Sequence, residues 1–266
     1  MTTLDRPNRK STTNSEPRGR VEHSAAGLHV EAMGHGFMNP IGLAAGLDKT
    51  GARFAEIAAT GAGHVEIGTV DGPFRQPPLD RQRFPLVRLG VNIGSRRKGI
   101  TPNVLEDYAA AFSTAARSAD YVVANLTSPD RERHADSPGL EALFGRLKRE
   151  QEQAARRTPL LVKVSVDAVA APPLRALYLA RDLGLDGVVL VSSKLQFIEA
   201  VARLLDGLTL VSVGGVSNAE DLRCRLAFAD LVQIHSAYIQ YGPALIPHLL
   251  AELEVSQPCR RLSIRS

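Results

Sequence analysis

Short apolar runs alternate with longer amphipathic stretches along most of the chain. Eight of the runs are rich in Val, Leu, Ile and Gly, and turn-forming or polar residues bound them, which is typical of buried parallel strands. The predicted strands cover 41–46, 64–70, 86–94, 121–128, 160–166, 187–193, 208–215 and 231–237. Helical periodicity predicts helices between most of them and after the last, at 50–60, 103–117, 139–156, 171–183, 195–206, 218–228 and 243–254.

This alternation predicts an α/β protein, a (β/α)8 TIM barrel in a single domain, because right-handed crossovers between eight parallel strands close a barrel. A doubly wound open sheet is the alternative. No Gly-x-Gly-x-x-Gly motif follows the first strand, which argues against that alternative. The stretch LHVEAMGHGFMNP, which precedes the first strand, is predicted to form a short hairpin that turns near Gly34 and Gly36.

The two ends of the chain differ in composition from its body. Residues 1–22 are polar and predict a disordered tail, residues 23–255 the barrel, and residues 256–266 a basic C-terminal tail. The first tail holds five basic and three acidic side chains, and the second holds three arginines and no acidic residue, so the tails account for the net charge of +4. A nearly neutral body gives no basic stripe, so the sequence does not favour nucleic-acid binding.

Composition also narrows the class of protein. Hydrophobic residues make up 44% of the 266 residues and aromatic residues only 5%, which fits a large aliphatic core. No apolar run reaches the roughly 18 residues of a membrane span, and the polar start lacks a signal peptide, so we expect no stable membrane insertion. Cys224 and Cys259 have neither metal-ligand nor disulfide spacing. We therefore expect a cytoplasmic protein with no metal site.

Polar residues and glycines collect where the predicted strands end. In a TIM barrel the carboxyl ends of the strands form the active site. Buried strands do not end on polar groups unless something satisfies them. The candidate site residues are Lys49, Thr69, Asn92, Asn125, Ser128, Lys163, Ser192, Gly214, Gly215, His235 and Ser236.

Six motifs occur in order at these strand ends: NPIGLAAGLDKTG, EIGTV, LGVNIG, ADYVVANLTSPD, LLVKVSVD and LVSVGGVSNAEDL…ADLVQIHSAYIQYGP. Together they resemble the dihydroorotate dehydrogenase family, most closely its quinone-using class with a serine base. The resemblance extends from Leu28 to Leu253. It implies an FMN-dependent oxidoreductase of pyrimidine biosynthesis that acts on a small orotate-like acid. It leaves homo-oligomer formation open.

The resemblance also implies roles for individual residues. Ser128 corresponds to the catalytic base, which takes a proton while flavin N5 takes a hydride from the adjacent carbon. Lys163 would lie near flavin N1, and the phosphate near Gly214 and Gly215. The full set implied to bind FMN is Ala44, Ala45, Gly46, Thr69, Asn92, Asn125, Lys163, Gly214, Gly215, His235 and Ser236. The set implied to bind substrate is Lys49, Asn125, Asp130 and Ser192.

Several positions depart from the family pattern. Asp130 stands where the family has Asn, the insertion RERHAD (131–136) follows it, and Glu141 replaces an Arg. The segment between the second and third strands is too short for the family's Asn-x-x-Gly-Phe motif, and the Gly-rich turn after the sixth strand is absent. Residues 1–22 have no apolar face, unlike the family's membrane-docking helices. The flavin half of the site is therefore expected to be kept and the substrate half altered.

Two other functions remain open on the sequence alone. The chain could be a flavin-free relative that acts as a binding or scaffold protein. It could also be a non-redox barrel enzyme in which Lys163 forms a Schiff base and Gly214 and Gly215 hold a substrate phosphate.

Overall fold

A computed structural model of the 266-residue chain describes residues 28–75, 79–127, 135, 137–166 and 173–254. The predicted tails at 1–22 and 256–266 lie outside the described residues. So do Ser128, Asp130 and, apart from Ala135, the insertion at 131–136.

A two-stranded antiparallel hairpin precedes the barrel, as predicted. It pairs β1 (Val30–Ala32) with β2 (His35–Phe37). Met33 and Gly34 make the turn, and both have positive φ angles, of 46° and 79°. The turn thus uses the left-handed backbone conformation that glycine adopts without steric cost.

Eight parallel strands form a closed barrel, which confirms the predicted fold. The last strand in the chain pairs with both the first barrel strand and its predecessor, and this pairing closes the ring. The strands are β3 (Ile41–Leu43), β4 (His64–Asp71), β5 (Arg88–Gly94), β6 (Tyr121–Asn125), β7 (Leu160–Ser165), β8 (Gly187–Val191), β9 (Thr209–Val213) and β10 (Leu231–Ile234).

Helices connect most of the strands. They are α1 (Phe54–Ala58), α2 (Pro102–Ala115), α3 (Leu140–Gln153), α4 (Leu174–Asp182), α5 (Leu195–Leu205), α6 (Ala219–Leu226), α7 (Ser236–Tyr241) and α8 (Leu245–Glu254). In its described part, the connection from β4 to β5 contains no helix, as its Pro- and Arg-rich sequence predicts.

Several strands end two or three residues before their predicted ends, and two further differences have a local reason. Helix α1 begins at Phe54 instead of residue 50 because the Asp48 carboxylate accepts the backbone N–H groups of Thr50, Gly51 and Arg53, which holds a turn there. The last strand ends at Ile234 instead of residue 237, and Ser236 begins helix α7, which the sequence did not predict. The apolar pattern of the last strand continues into helix α7, so the sequence does not show where the strand ends.

The strands are buried on both faces, and successive side chains along each strand point alternately to two layers. Side chains such as Ile41, Val65 and Leu89 face outward and pack against the helices. Those such as Val123 and Leu161 face inward, into a separate cluster that fills the barrel with the hairpin. Because both faces are apolar, the sequence shows continuous hydrophobic runs and not a strict alternation.

The hairpin closes the end of the barrel at which the strands begin. His35 Nε2 lies 2.9 Å from the carbonyl oxygen of Asp120, immediately before β6. Arg88, the first residue of β5, donates to Gly36 O at 2.8 Å, and Met33 N donates to Thr209 Oγ1 of β9 at 3.0 Å. The opposite end, where the strands finish, is the mouth of the barrel.

His64 lies inside the barrel just above the hairpin and is fully buried. Its ring packs edge-on against Phe37 and Tyr121, with centroid separations of 5.6 and 6.3 Å. A Cβ atom at Gly42 would overlap the imidazole, so β3 needs a glycine at this point. Within the described residues neither ring nitrogen has a hydrogen-bond partner, and burial lowers the pKa of His64 to about 3.

This histidine predicts a specific loss of stability in acid. Between its ordinary pKa of 6.5 and its folded pKa of about 3, the unfolded chain binds a proton that the folded chain does not. The free energy of unfolding therefore falls as pH falls through this window, by up to ~1.4 kcal/mol per pH unit. We expect His64→Met to remove this contribution, as measured by urea unfolding at a series of pH values.

The control for this measurement is His248→Met, because that side chain is 65% exposed beside Glu252. We expect the control to change the slope little. An unchanged slope in His64→Met would show that the buried imidazole is protonated in the folded state.

Candidate active site

A hydrogen-bonded network centred on Glu66 lies inside the barrel below the mouth. Glu66 is fully buried on β4. Its Oε1 accepts from Asn92 Nδ2 of β5 at 2.8 Å, and its Oε2 accepts from Gln233 Nε2 of β10 at 2.7 Å. Lys163 Nζ of β7 lies 3.5 Å from Oε1. One carboxylate thus joins side chains from four strands.

The network continues upward to the mouth through Thr69. The Thr69 hydroxyl donates to Asn92 Oδ1 at 2.8 Å and accepts from Asn125 Nδ2 at 2.9 Å. The register of β4 against β5 shifts between Gly68 and Val70, so Thr69 is the extra residue of a bulge. Bulges redirect side chains next to functional sites, and this one brings the Thr69 hydroxyl between the two amides.

Asn125 ends β6 and is only 7% exposed. Its Oδ1 accepts from both the backbone N–H and the hydroxyl of Thr127, at 2.9 and 2.8 Å. The buried hydroxyl of Tyr108 donates to the Asn125 carbonyl oxygen at 2.6 Å. The polar end of β6 is therefore fixed on both sides, immediately before the predicted base Ser128.

Lys163 carries the one positive charge of this network. Its side chain is 8% exposed, and in the described part of the chain its ion pair is the 3.5 Å contact with Glu66. An ammonium group has three N–H donors. A single contact of this length leaves donor capacity for a ligand with acceptor atoms or negative charge at the mouth.

Small residues follow β3, the first barrel strand, at the mouth; we call the residues that follow a barrel strand its exit. Ala44 is buried, Ala45 is half-buried, and Gly46 is exposed with a φ angle of 104°. Gly46 N donates to Gly68 O at 3.1 Å, so this exit is tied to the β4 bulge. Lys49 is exposed on the turn that Asp48 holds.

His235 lies beside this exit, because β10 pairs directly with β3. It is half-buried, and its Nε2 lies 3.3 Å from the position that a Cβ atom at Gly46 would occupy. Burial lowers the pKa of His235, and the nearby positive charge of Lys163 lowers it further. The imidazole is thus biased towards its neutral form. Ser236 follows it and is exposed.

The residues that follow β8 and β9 meet beside His235. Gly214 and Gly215 follow β9 with φ angles of 95° and 62°. Ser192 is buried, and its hydroxyl bonds to the backbone of Lys194, accepting from the N–H at 3.1 Å. Arg225 of α6 donates to the carbonyl oxygens of Ser192 and Gly215, at 3.0 and 3.2 Å.

Comparison with known proteins identifies the family. The chain is 32% identical to dihydroorotate dehydrogenase (quinone) from Halobacterium salinarum, over 81% of this chain and 78% of that protein. The enzymes of the same name from Arthrobacter sp. and Thiobacillus denitrificans are 30% and 31% identical, over 89% and 95% of this chain and 87% and 93% of theirs. The chain belongs to the dihydroorotate dehydrogenase (quinone) family. This membership confirms the resemblance seen in the sequence and makes the protein an oxidoreductase.

Solved structures support the fold of this dihydroorotate dehydrogenase homologue. The ligand-free enzyme from Eimeria tenella matches with a TM-score of 0.75 at 20% identity, over 85% of this chain and 86% of that one. The ferulenol complex of the same enzyme matches with a TM-score of 0.74 at 21% identity, over 85% and 83%. No family model matches the sequence. Among the helices of the described residues, none is both long and apolar enough to cross a membrane.

The structure of this family member brings together Thr69, Asn92, Asn125 and Lys163 in one network, as their strand-end positions predicted. The roles assigned to all the candidate site residues remain predictions. Sequence reasoning missed Glu66, Gln233 and Arg225. Glu66 and Gln233 gave a signal in the sequence, because they are polar residues inside the apolar runs HVEIGTV and LVQIHSA. Arg225 gave a weaker one, as a charged residue at a helix position that faces the sheet.

Removal of the central carboxylate should strongly destabilise the fold. Glu66→Ala leaves Lys163, Asn92 and Gln233 without their acceptor, and loss of one partner from a buried ion pair costs ~3–5 kcal/mol. We expect the double variant Glu66→Leu with Lys163→Met to recover most of this loss, since it removes both charges. Chemical denaturation measures the three free energies of unfolding.

The control is Glu56→Ala, which breaks the Arg53–Glu56 pair of 2.6 Å, with side chains 43% and 52% exposed. Exposed pairs contribute only ~0–1 kcal/mol, so this variant should stay close to the parent. A similarly small loss for Glu66→Ala would contradict a central role for the buried carboxylate.

Proposed function

We propose that the protein is an FMN-dependent dehydrogenase that oxidises a planar acid related to dihydroorotate. The observation that carries the proposal is Lys163, a nearly buried ammonium group whose ion pair with Glu66 spans 3.5 Å. Such a group retains affinity for negative charge, and an anionic reduced flavin provides that charge. The relatives named dihydroorotate dehydrogenase support the same reaction class.

The described residues fit FMN on the grounds of shape and donor chemistry. Gly46 and Gly214 have no side chain, so a flat ring or a phosphate would be able to approach the backbone closely at these two positions. Lys163 and Asn125 offer donors at the mouth. The complete set that would hold the cofactor is Ala44, Ala45, Gly46, Thr69, Asn92, Asn125, Lys163, Gly214, Gly215, His235 and Ser236. Asn92 is fully buried, so its part is to orient Thr69.

The proposed reaction removes a hydride and a proton from adjacent carbon atoms. Bound FMN supplies the hydride acceptor. Ser128, next in the chain after Thr127, takes the proton as general base. Lys49 is exposed at the first strand exit and would bind the substrate carboxylate by charge attraction.

The substrate is expected to differ from dihydroorotate. Asp130 would repel an anion where the family pattern has an uncharged Asn. Ser192 would be a weak ligand, since its hydroxyl already bonds to Lys194 N at 3.1 Å. We therefore propose an acid that is recognised chiefly through Lys49 and Asn125.

The Schiff-base alternative has less support. A lysine that attacks a carbonyl must be a neutral amine, whereas Lys163 is ion-paired with the Glu66 carboxylate. The FMN titration described next distinguishes the proposed enzyme from a flavin-free scaffold protein.

Titration of the purified protein with FMN, followed by flavin fluorescence, tests the proposed cofactor. We expect saturable binding and a yellow protein. Anaerobic addition of dihydroorotate should bleach the flavin slowly or not at all. Absence of a saturable signal with FMN at ~10–100 μM, a range well above that of a useful cofactor affinity, would reject the proposal in favour of a flavin-free protein.

The role of Ser128 is tested by Ser128→Ala. We expect FMN affinity to stay at the parent value and flavin reduction by an accepted substrate to slow by ~10²–10⁴-fold, the usual contribution of a positioned base. Ser128→Cys should recover part of the rate, because a thiolate forms more easily than an alkoxide. Stopped-flow absorbance measures both.

A matched control is Ser113→Ala on α2, whose hydroxyl bonds to Ala109 O at 2.9 Å and to the Glu150 carboxylate of α3, not to a candidate site residue. Its reduction rate should equal that of the parent. A Ser128→Ala variant that is as fast as this control would place the base elsewhere.

A further inference from the structure

Arg225 is a buried charge that links two strand exits. It is 3% exposed, although it lies on the short helix α6. Its Nη1 donates to Ser192 O at 3.0 Å and to Ser212 Oγ at 3.1 Å. Its Nη2 donates to Ser193 O at 2.9 Å, and its Nε donates to Gly215 O at 3.2 Å. One planar guanidinium therefore binds backbone carbonyls that follow both β8 and β9.

These bonds determine the direction of the adjoining N–H groups. In a trans peptide the carbonyl and the next N–H point to opposite sides of the chain. With the carbonyls of Ser192 and Gly215 turned to Arg225, the N–H groups of Ser193 and Val216 point away from it. Backbone N–H groups fixed in this way form the kind of concavity that binds phosphate.

The position of the Arg225 side chain requires a glycine at residue 215. Gly215 has a φ angle of 62°, and a Cβ atom there would overlap Arg225 Nη2 and lie 3.0 Å from Ser193 O. The glycine is needed for the close approach of the guanidinium as well as for its backbone conformation. The sequence therefore encodes the exit of β9 and the buried arginine as one unit.

We propose that Arg225 is a positioning residue for the phosphoryl group of the bound nucleotide cofactor. It holds the exits of β8 and β9 in the conformation whose N–H groups bind phosphate. The inference rests on the proposed function, since it concerns the phosphate end of FMN. It goes further by assigning phosphate selectivity to a residue that does not itself contact the ligand.

The test compares two flavins that differ only in the phosphate. Affinities for FMN and riboflavin are measured by fluorescence titration of the parent and of Arg225→Gln. We expect the FMN dissociation constant to rise ~10–100-fold, the loss typical of hydrogen bonds to a charged group. The riboflavin constant should stay within about twofold, because the ring site is untouched. Arg225→Lys keeps the charge but not the planar set of donors, so its FMN dissociation constant should lie between those of the parent and of Arg225→Gln.

Two further variants separate this role from a merely structural one. Arg223→Gln removes the same charge from the same helix at a side chain that donates to Glu252 O at 3.3 Å, and both flavins should bind as in the parent. Gly215→Ala leaves the charge but displaces Nη2, and it should lose FMN selectively. This variant and Arg225→Lys decide the question if Arg225→Gln does not fold.

The outcomes are distinguishable. Equal weakening of both flavins in Arg225→Gln and Gly215→Ala, or no weakening of FMN in either, overturns the positioning role while leaving FMN binding by the parent intact. A parent that binds riboflavin and FMN equally overturns it as well. A parent that binds neither flavin overturns the proposed function together with this inference.

Discussion

The structure depends on the burial of one carboxylate inside a barrel. A charge removed from water is stable only if hydrogen bonds and an opposite charge compensate it, and Glu66 obtains these from Asn92, Gln233 and Lys163. The partners lie on three other strands, so all four strands must keep their relative register. A slip of one residue in any of them would turn its polar side chain to the helix layer. The carboxylate therefore specifies the alignment on which the mouth is built.

The interior of the barrel changes in polarity from one end to the other. Next to the hairpin, His64 packs against Phe37 and Tyr121, and no described residue forms a hydrogen bond with its ring nitrogens. Above it comes the charged layer of Glu66 and Lys163, followed by the hydroxyl and amides of the mouth. The candidate ligand-binding groups thus lie above an ionic layer, which in turn lies above an apolar base.

The sequence predicted the barrel well because each strand is buried on both faces and each helix has one apolar face. It could not assign which strand residues point inward, because a run such as HVEIGTV is apolar on both sides. Glu66 was therefore overlooked, although it organises residues that were identified. Helix α7 was missed because the apolar pattern of β10 continues into it. Arg225 was missed because most of the partners described above are backbone carbonyl oxygens, which every sequence contains and no motif records.

The hairpin at the closed end has a consequence for the order in which the chain assembles. Its residues leave the ribosome before any barrel strand, yet Met33 binds Thr209, which lies 176 positions later. His35 likewise waits for Asp120, 85 positions away. Contacts of such long range form late, because the intervening chain must first be ordered. The hairpin can make all its contacts only after β5, β6 and β9 have come together, so its docking follows the assembly of most of the barrel.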